Sequence, residues 1–151
     1  MIYYSYERFK IDVQTLSDEC SAFKADTLLA IARGGMTLGH ALSMALDIRN
    51  LQSIRCESYD DMAQRSTVSV IGECDFTQSE RVLIVDDIVD SGKTLHILIP
   101  YLQERYPGII FATAAIFTKP TALVQPDYSL HEALDWIDFF WERDFFKSDS
   151  L

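Results

Sequence analysis

Apolar residues recur along this chain in two rhythms, one spaced by threes and fours and one unbroken. Phe9, Val13, Leu16, Cys20 and Phe23 fall at spacings of four and three, which predicts an amphipathic first helix. Leu28, Leu29, Ala30 and Ile31 then run without alternation, the pattern of a strand over 27–31 buried on both faces. Leu38, Leu42, Ala45 and Leu46 mark a second helical face within 37–46, and a short strand is expected over 51–56. Positions 58–69 are polar and poor in apolar residues, as in a mobile loop. Val82, Leu83, Ile84 and Val85 form the next buried strand. Leu95, Leu98, Ile99, Leu102 and Tyr106 mark a third helix, in which Pro100 predicts a bend or a lost hydrogen bond. Positions 109–117 read as a further buried strand.

Strands alternating with helices predict an α/β fold, a mostly parallel twisted sheet flanked by helices. A length of 151 residues fits one domain able to bury a sizeable core. The last part departs from the alternation. Trp136, Phe139, Phe140, Trp141, Phe145 and Phe146 crowd six aromatics into eleven positions. Such a cluster serves as a hydrophobic cover, as a subunit contact, or as a platform for a flat base, and for Trp136 stacking on a base is favoured. The chain is therefore expected to be one domain over 1–151, with a core over about 1–126 and a small C-terminal hood over about 127–151.

Charge narrows the partners. The formal net charge is −10, which argues against general nucleic-acid binding, since that needs a basic face. No apolar run approaches the roughly 18–20 residues of a membrane span, so no integral membrane segment is expected. The start, Met1-Ile2-Tyr3-Tyr4-Ser5, lacks the basic and apolar regions of a signal peptide. A cytoplasmic protein is expected, with peripheral membrane attachment left open. Cys20, Cys56 and Cys74 have no CxxC spacing and suit a reducing compartment; Cys20 lies on the first helical stripe and reads as core. His40, His96 and His131 lack zinc-ligand spacing.

The chemistry concentrates in Arg81-Val82-Leu83-Ile84-Val85-Asp86-Asp87-Ile88-Val89-Asp90-Ser91-Gly92-Lys93-Thr94. In parallel α/β sheets ligands bind beyond the carboxyl ends of the strands, and Asp86 and Asp87 are expected at such an end. Ionised carboxylates only accept hydrogen bonds, so this pair suits sugar hydroxyls or a divalent metal held by Asp87. From Asp90 to Thr94, backbone N–H groups and the Ser91 and Thr94 hydroxyls can wrap a phosphate at the start of the third helix, where the helix dipole adds positive potential. Gly92 permits close approach or a positive φ. A capped turn followed by a helix start explains Ser91-Gly92-Lys93-Thr94 taken alone. It does not explain three aspartates crowded together, because like charges repel. A nucleoside-triphosphate P-loop is disfavoured, since it needs glycine where Asp87 stands. Carboxylates beside a phosphate cradle suit a phosphorylated ribose.

This stretch resembles the signature of the type I phosphoribosyltransferases, and more of the chain resembles the bacterial xanthine–guanine branch in the same order. Ala32-Arg33-Gly34-Gly35 resembles the pyrophosphate loop, Glu57-Ser58-Tyr59-Asp60 with Gln64-Arg65 the mobile loop and its arginine, Phe117-Thr118-Lys119-Pro120 the purine-contacting lysine segment, and Trp136-Ile137-Asp138 with Trp141-Glu142 the base-covering hood. The resemblance implies a type I phosphoribosyltransferase fold and Mg²⁺-dependent transfer from phosphoribosyl pyrophosphate to a 6-oxopurine: guanine, xanthine or hypoxanthine. It implies that Arg33, the Gly34 and Gly35 amides and Arg65 receive pyrophosphate, that Lys119 meets the 6-oxo group, and that Trp136 and the Ile137 backbone hold the base. Asp86, Asp87, Ser91, Gly92, Lys93 and Thr94 would hold the sugar phosphate, with Asp90 as general base. It further implies a cis peptide between Ala32 and Arg33, and a homodimer or homotetramer. Phe139-Phe140 departs from the branch, which tends to carry a polar residue and proline there.

Two other classes fit parts of the pattern. A related protein that binds RNA or DNA would need a basic groove, against the charge of −10. A nucleotide-sensing module would keep the sugar-phosphate site but dispense with the hood and the loop arginine.

Overall fold

The computed structural model describes residues 1–60 and 66–147. Strand β1 (Ile2–Tyr4) leads into helix α1 (Tyr6–Cys20). Ser5 caps this helix by accepting a hydrogen bond from the Arg8 backbone N–H. The apolar stripe outlasts the helix, because Phe23 is delivered to the core by a 3-10 turn (Ser21–Phe23) that closes with Lys24 at φ 57°. There follow β2 (Thr27–Ala32), α2 (Met36–Ala45), β3 (Asn50–Asp60), β4 (Ser66–Ile71), β5 (Arg81–Val89), α3 (Lys93–Arg105), β6 (Ile110–Thr118), β7 (Tyr128–Glu132), β8 (Ile137–Phe139) and the short α4 (Phe140–Arg143).

Six of the strands form a sheet in the order β4-β3-β2-β5-β6-β7, parallel throughout except for the edge pair β3–β4. The unbroken apolar runs are explained by burial on both faces. Leu28, Ala30, Leu83 and Val85 pack with Leu16 of α1 and Leu38 and Leu42 of α2, while Leu29, Ile31, Val82 and Ile84 pack with Leu95, Leu98 and Leu102 of α3. α3 is continuous through Pro100, which is exposed. Cys20 is core, and burial pushes its thiol up to about 12.

Four features differ from the sequence-based expectation. Positions 58–69 are in part strand: β3 runs on to Asp60 and β4 begins at Ser66, a hairpin whose polar residues suit a sheet edge. β5 does not stop at Val85. It loses its neighbour β2 after Val85, which pairs with Ala30, but stays paired with β6 through Val89 and Thr118. The core also extends past residue 126, since β7 is the edge strand of the main sheet. The hood itself is built from both chain ends, because β1 pairs in parallel with β8 in a separate two-stranded sheet, Ile2 opposite Ile137.

Tyr4 joins these parts. Its ring meets Phe117, Phe139 and Trp141 edge-on at centroid distances of 5.2, 5.7 and 6.0 Å. Its hydroxyl donates to Asp12 of α1 at 2.5 Å, and the same carboxylate oxygen lies 2.8 Å from His131 of β7. No helix among the described residues is long and apolar enough to cross a membrane.

Candidate active site

A cavity of ≈ 550 Å³ opens where β5 and β2 part, at the carboxyl ends of the strands, and the hood covers one side. Asp86, Asp87, Asp90, Thr94, Lys119, Trp136 and Ile137 all line it, so the acid pair, the phosphate loop, the lysine and the hood converge. Gly34 lines it as well.

Asp86 and Asp87 occupy the stretch of β5 that has lost β2 as a partner. The Asp87 N–H donates to Asp86 Oδ1 at 2.9 Å, and the Ile88 N–H to Asp87 Oδ1 at 2.7 Å. Burial, and after it the charge of Asp87, pushes Asp86 well above the ordinary carboxylate range; burial also raises Asp87.

The loop between β2 and α2 explains its two glycines by contact. A Cβ on Gly34 would lie 2.6 Å from Asp87 Oδ2, so this loop presses directly on the acid. A Cβ on Gly35 would lie 2.5 Å from the Val85 carbonyl oxygen. The Gly35 N–H donates to the Ile31 carbonyl at 2.8 Å, so this amide is engaged in the turn and does not face pyrophosphate, contrary to its expected role. The Ala32–Arg33 peptide is cis, and Arg33 is exposed.

The phosphate loop is held from behind by a segment the sequence did not single out. Gly92 sits at φ 81°, where a Cβ would meet the Leu123 and Val124 backbone nitrogens at 2.7 Å, and the Leu123 N–H donates to the Ser91 carbonyl at 2.8 Å. Ser91 Oγ accepts from the Lys93 N–H at 3.2 Å. Lys93 is exposed as the first residue of α3.

Lys119 is placed by its own backbone. Its N–H donates to the Val89 carbonyl at 2.9 Å, and its Nζ then lies 2.7 Å from Asp90 Oδ1. Above them Trp136 is 71% exposed, overhanging the cavity rather than filling the core, while Ile137 is buried. The Trp136 carbonyl accepts from the Ile2 N–H at 2.8 Å, so β1 fixes the residue. Arg65 and Gln64 lie outside the described residues.

Three further groups belong to the site. Cys56 lines the cavity, with a thiol that burial pushes up to about 11. Glu142 lines it too, its carboxyl raised by burial and by the charge of Asp87 and drawn down by Arg33. Trp141 stacks on Phe139 at 4.6 Å and 16°. Its Nε1 is buried and has no hydrogen-bond partner among the described residues. A buried donor without a partner costs about 1–3 kcal/mol. Trp141-Glu142 was expected in the base-covering hood; that Glu142 also lines the cavity beside the acids depends on how the hood folds back.

The arrangement holds oxygen donors, the hard ligands that Mg²⁺ prefers. Among the described residues no three His, Cys, Asp or Glu side chains are grouped to hold a metal ion. Were a divalent cation to bind together with substrate phosphates, Asp87 and Asp86 are the carboxylates that would hold it.

The family described as phosphoribosyl transferase domain matches residues 2–144. The xanthine-guanine phosphoribosyltransferase of Idiomarina loihiensis is 33% identical over 118 residues, which cover 76% of this chain and 70% of that protein. Among solved structures, the Helicobacter pylori xanthine-guanine-hypoxanthine phosphoribosyltransferase superposes with a TM-score of 0.88 at 35% identity, covering 95% of this chain and 94% of the other. A purine phosphoribosyltransferase from Pyrococcus horikoshii does so with a TM-score of 0.80 at 28% identity, over 93% and 92%.

Proposed function

The chain belongs to the phosphoribosyl transferase domain family, and we propose that it is a purine-salvage enzyme. It transfers the phosphoribosyl group of phosphoribosyl pyrophosphate to a 6-oxopurine and yields the nucleoside 5′-monophosphate and pyrophosphate. The observation that carries this reading is the Lys119–Asp90 pair, 2.7 Å apart beside Trp136 and in the same cavity as Asp86 and Asp87. A 6-oxopurine presents an oxygen acceptor at C6 beside N7, which in one tautomer carries a proton. A cation next to a proton acceptor complements that edge. Adenine presents an amino group at C6, and Lys119 has only donors to offer it.

Each group then has a defined task. Trp136 covers the base by stacking. Asp86 and Asp87 accept from the ribose hydroxyls, and the loop from Asp90 to Thr94 holds the 5′-phosphate at the start of α3. Arg33 and the Gly34 amide receive the pyrophosphate, joined by Arg65. Mg²⁺, when bound, neutralises the diphosphate, which matters in a site this acidic. N9 of the base forms its bond to C1′ as the bond to pyrophosphate breaks, and Asp90 takes the proton from N7. Lys119 is released from Asp90 to the 6-oxo group as the base enters. The hood keeps water from the electron-poor C1′ centre. The protein is proposed to work in the cytoplasm as a homodimer or homotetramer.

The test is pyrophosphate release from phosphoribosyl pyrophosphate and Mg²⁺ with guanine, xanthine, hypoxanthine, adenine and uracil in parallel. Turnover is expected with the 6-oxopurines alone and is expected to vanish on chelation of the metal. Donor binding without turnover on any base would instead make the protein a nucleotide-sensing module. Lys119→Ala is expected to lower kcat/KM for guanine by about ten- to a hundredfold, the range of a hydrogen bond to a charged group. Activity with adenine, if any is measurable, would be spared. An equal loss for every base would leave Lys119 a structural role.

A further inference from the structure

We propose that Gln125 is a positioning residue whose side-chain amide draws the loop after β6 together, so that one clamp sets both Lys119 against the base and the wall behind the phosphate loop. The inference rests on the proposed phosphoribosyl transfer. Gln125 acts through other residues and meets neither substrate itself.

The chain between β6 and β7 lies outside both strands, so its carbonyls need partners from within the loop. The Ala122 N–H donates to the Lys119 carbonyl at 3.0 Å and closes a turn. The Gln125 side chain gathers that turn: Nε2 donates to the Lys119 carbonyl at 3.0 Å and meets those of Ala122 and Pro120 at 3.3 and 3.4 Å. Carbonyl oxygens only accept, so the end of the amide that faces them is the NH₂ group. Its Oε1 is turned to the buried Thr118, whose hydroxyl donates to it at 3.3 Å.

Both ends of the gathered turn touch the site. At one end the Lys119 N–H is bound to the Val89 carbonyl, and Nζ reaches Asp90. At the other the Leu123 N–H is bound to the Ser91 carbonyl, and the Leu123 and Val124 nitrogens back Gly92. Leu123 is 62% exposed, so packing of its own side chain does not hold that contact. Ala122 and Val124 rest against the cluster that contains Leu95, a lateral hold that leaves the spacing from Lys119 to Leu123 open. The far end of the loop is fixed separately: the Asp127 N–H donates to Thr113 Oγ1 and Asp127 Oδ2 accepts from the Thr113 N–H, both at 2.9 Å. The span between Thr118 and Asp127 is left to Gln125.

Gln125→Glu keeps the shape and turns an anion toward three carbonyl oxygens, while Gln125→Ala removes the donor without adding charge. Gln125 is exposed, so both variants are expected to fold. Each is expected to raise the KM for guanine and the KM for phosphoribosyl pyrophosphate together by about three- to tenfold, the worth of one ordinary hydrogen bond, with kcat within about twofold of the parent, because the clamp serves ground and transition states alike. Unchanged Michaelis constants would overturn the proposal, even if the thermal midpoint fell. So would a rise for one substrate alone, since the clamp would then serve only one half of the site. A second measurement needs no turnover. In Gln125→Ala, amide hydrogen exchange is expected to quicken at Lys119, Ala122 and Leu123 and to stay as it was at Ala114 and Ala115 of β6. Exchange at Leu123 indifferent to the substitution removes the clamp. Inactivity of the unsubstituted enzyme on every base would sink the catalytic assignment, and the exchange rates would still decide the clamp.

Discussion

Asp90→Asn is expected to lower kcat with guanine by about 10²–10⁴-fold, the usual worth of a positioned general base, with a much smaller effect on the KM for phosphoribosyl pyrophosphate. Asparagine has the same shape but does not accept the N7 proton. The loss therefore falls on the chemical step, while the phosphate loop keeps its backbone. Folding is expected to survive, because the side chains of the Asp90–Lys119 pair are 63% and 46% exposed, and ion pairs so open to water contribute about 0–1 kcal/mol. Steady-state pyrophosphate release with both substrates varied separates the two constants. A kcat within about threefold of the parent would remove Asp90 from proton transfer and leave it the task of parking Lys119.

Gly35→Ala is expected to cost about 3 kcal/mol of stability or more. The added Cβ would fall 2.5 Å from the Val85 carbonyl oxygen and 2.8 Å from that of Ile31. Both are backbone atoms of central strands and have nowhere to move; crowding of this kind costs typically 1–3 kcal/mol and more when the neighbour is rigid. For a chain of this size each kcal/mol lowers the thermal midpoint by about 2–4 °C, so a drop of at least about 6 °C is expected in a melting experiment. Gly34→Ala is the control. There the clash is with the Asp87 carboxylate, so substrate affinity suffers more than stability. A Gly35→Ala protein that melts within 1–2 °C of the parent would show that the turn between β2 and α2 yields easily.

The difference between these two glycines also marks what sequence conveys and what it does not. The apolar runs at Leu28–Ile31 and Val82–Val85 could be read as central strands because burial on both faces removes polar alternation, and α1 and α2 because one face of each must stay apolar. Asp86, Asp87, Asp90 and Thr94 could be read as a site because three acids beside a small, donor-rich loop have no good structural explanation, and Lys119 only through the resemblance of its segment to a purine-contacting one. They do line one cavity. Gly35 looked the same as Gly34 in sequence, since a glycine records that space is short and not what fills it. β1 was illegible, because three residues carry no periodicity and their partner β8 lies at the other end of the chain. The extension of β3 and the start of β4 were hidden by their polarity, which an edge hairpin tolerates and a central strand does not.

The pairing of Ile2 with Ile137 has a consequence for how the molecule assembles. The central strands β2, β5 and β6 join segments separated by modest stretches of chain, whereas the β1–β8 ribbon closes a loop of almost the full length, and loop-closure entropy grows with that length. The ribbon also has two strands of three residues each, too few to hold together without the aromatic packing beneath them. The sugar-phosphate half of the site can thus form on a sheet that is complete without it, and the base half is added last. In the native ensemble the same order is expected in reverse, and hydrogen exchange is expected to show the β1–β8 amides opening ahead of those of β2, β5 and β6, leaving the sheet folded.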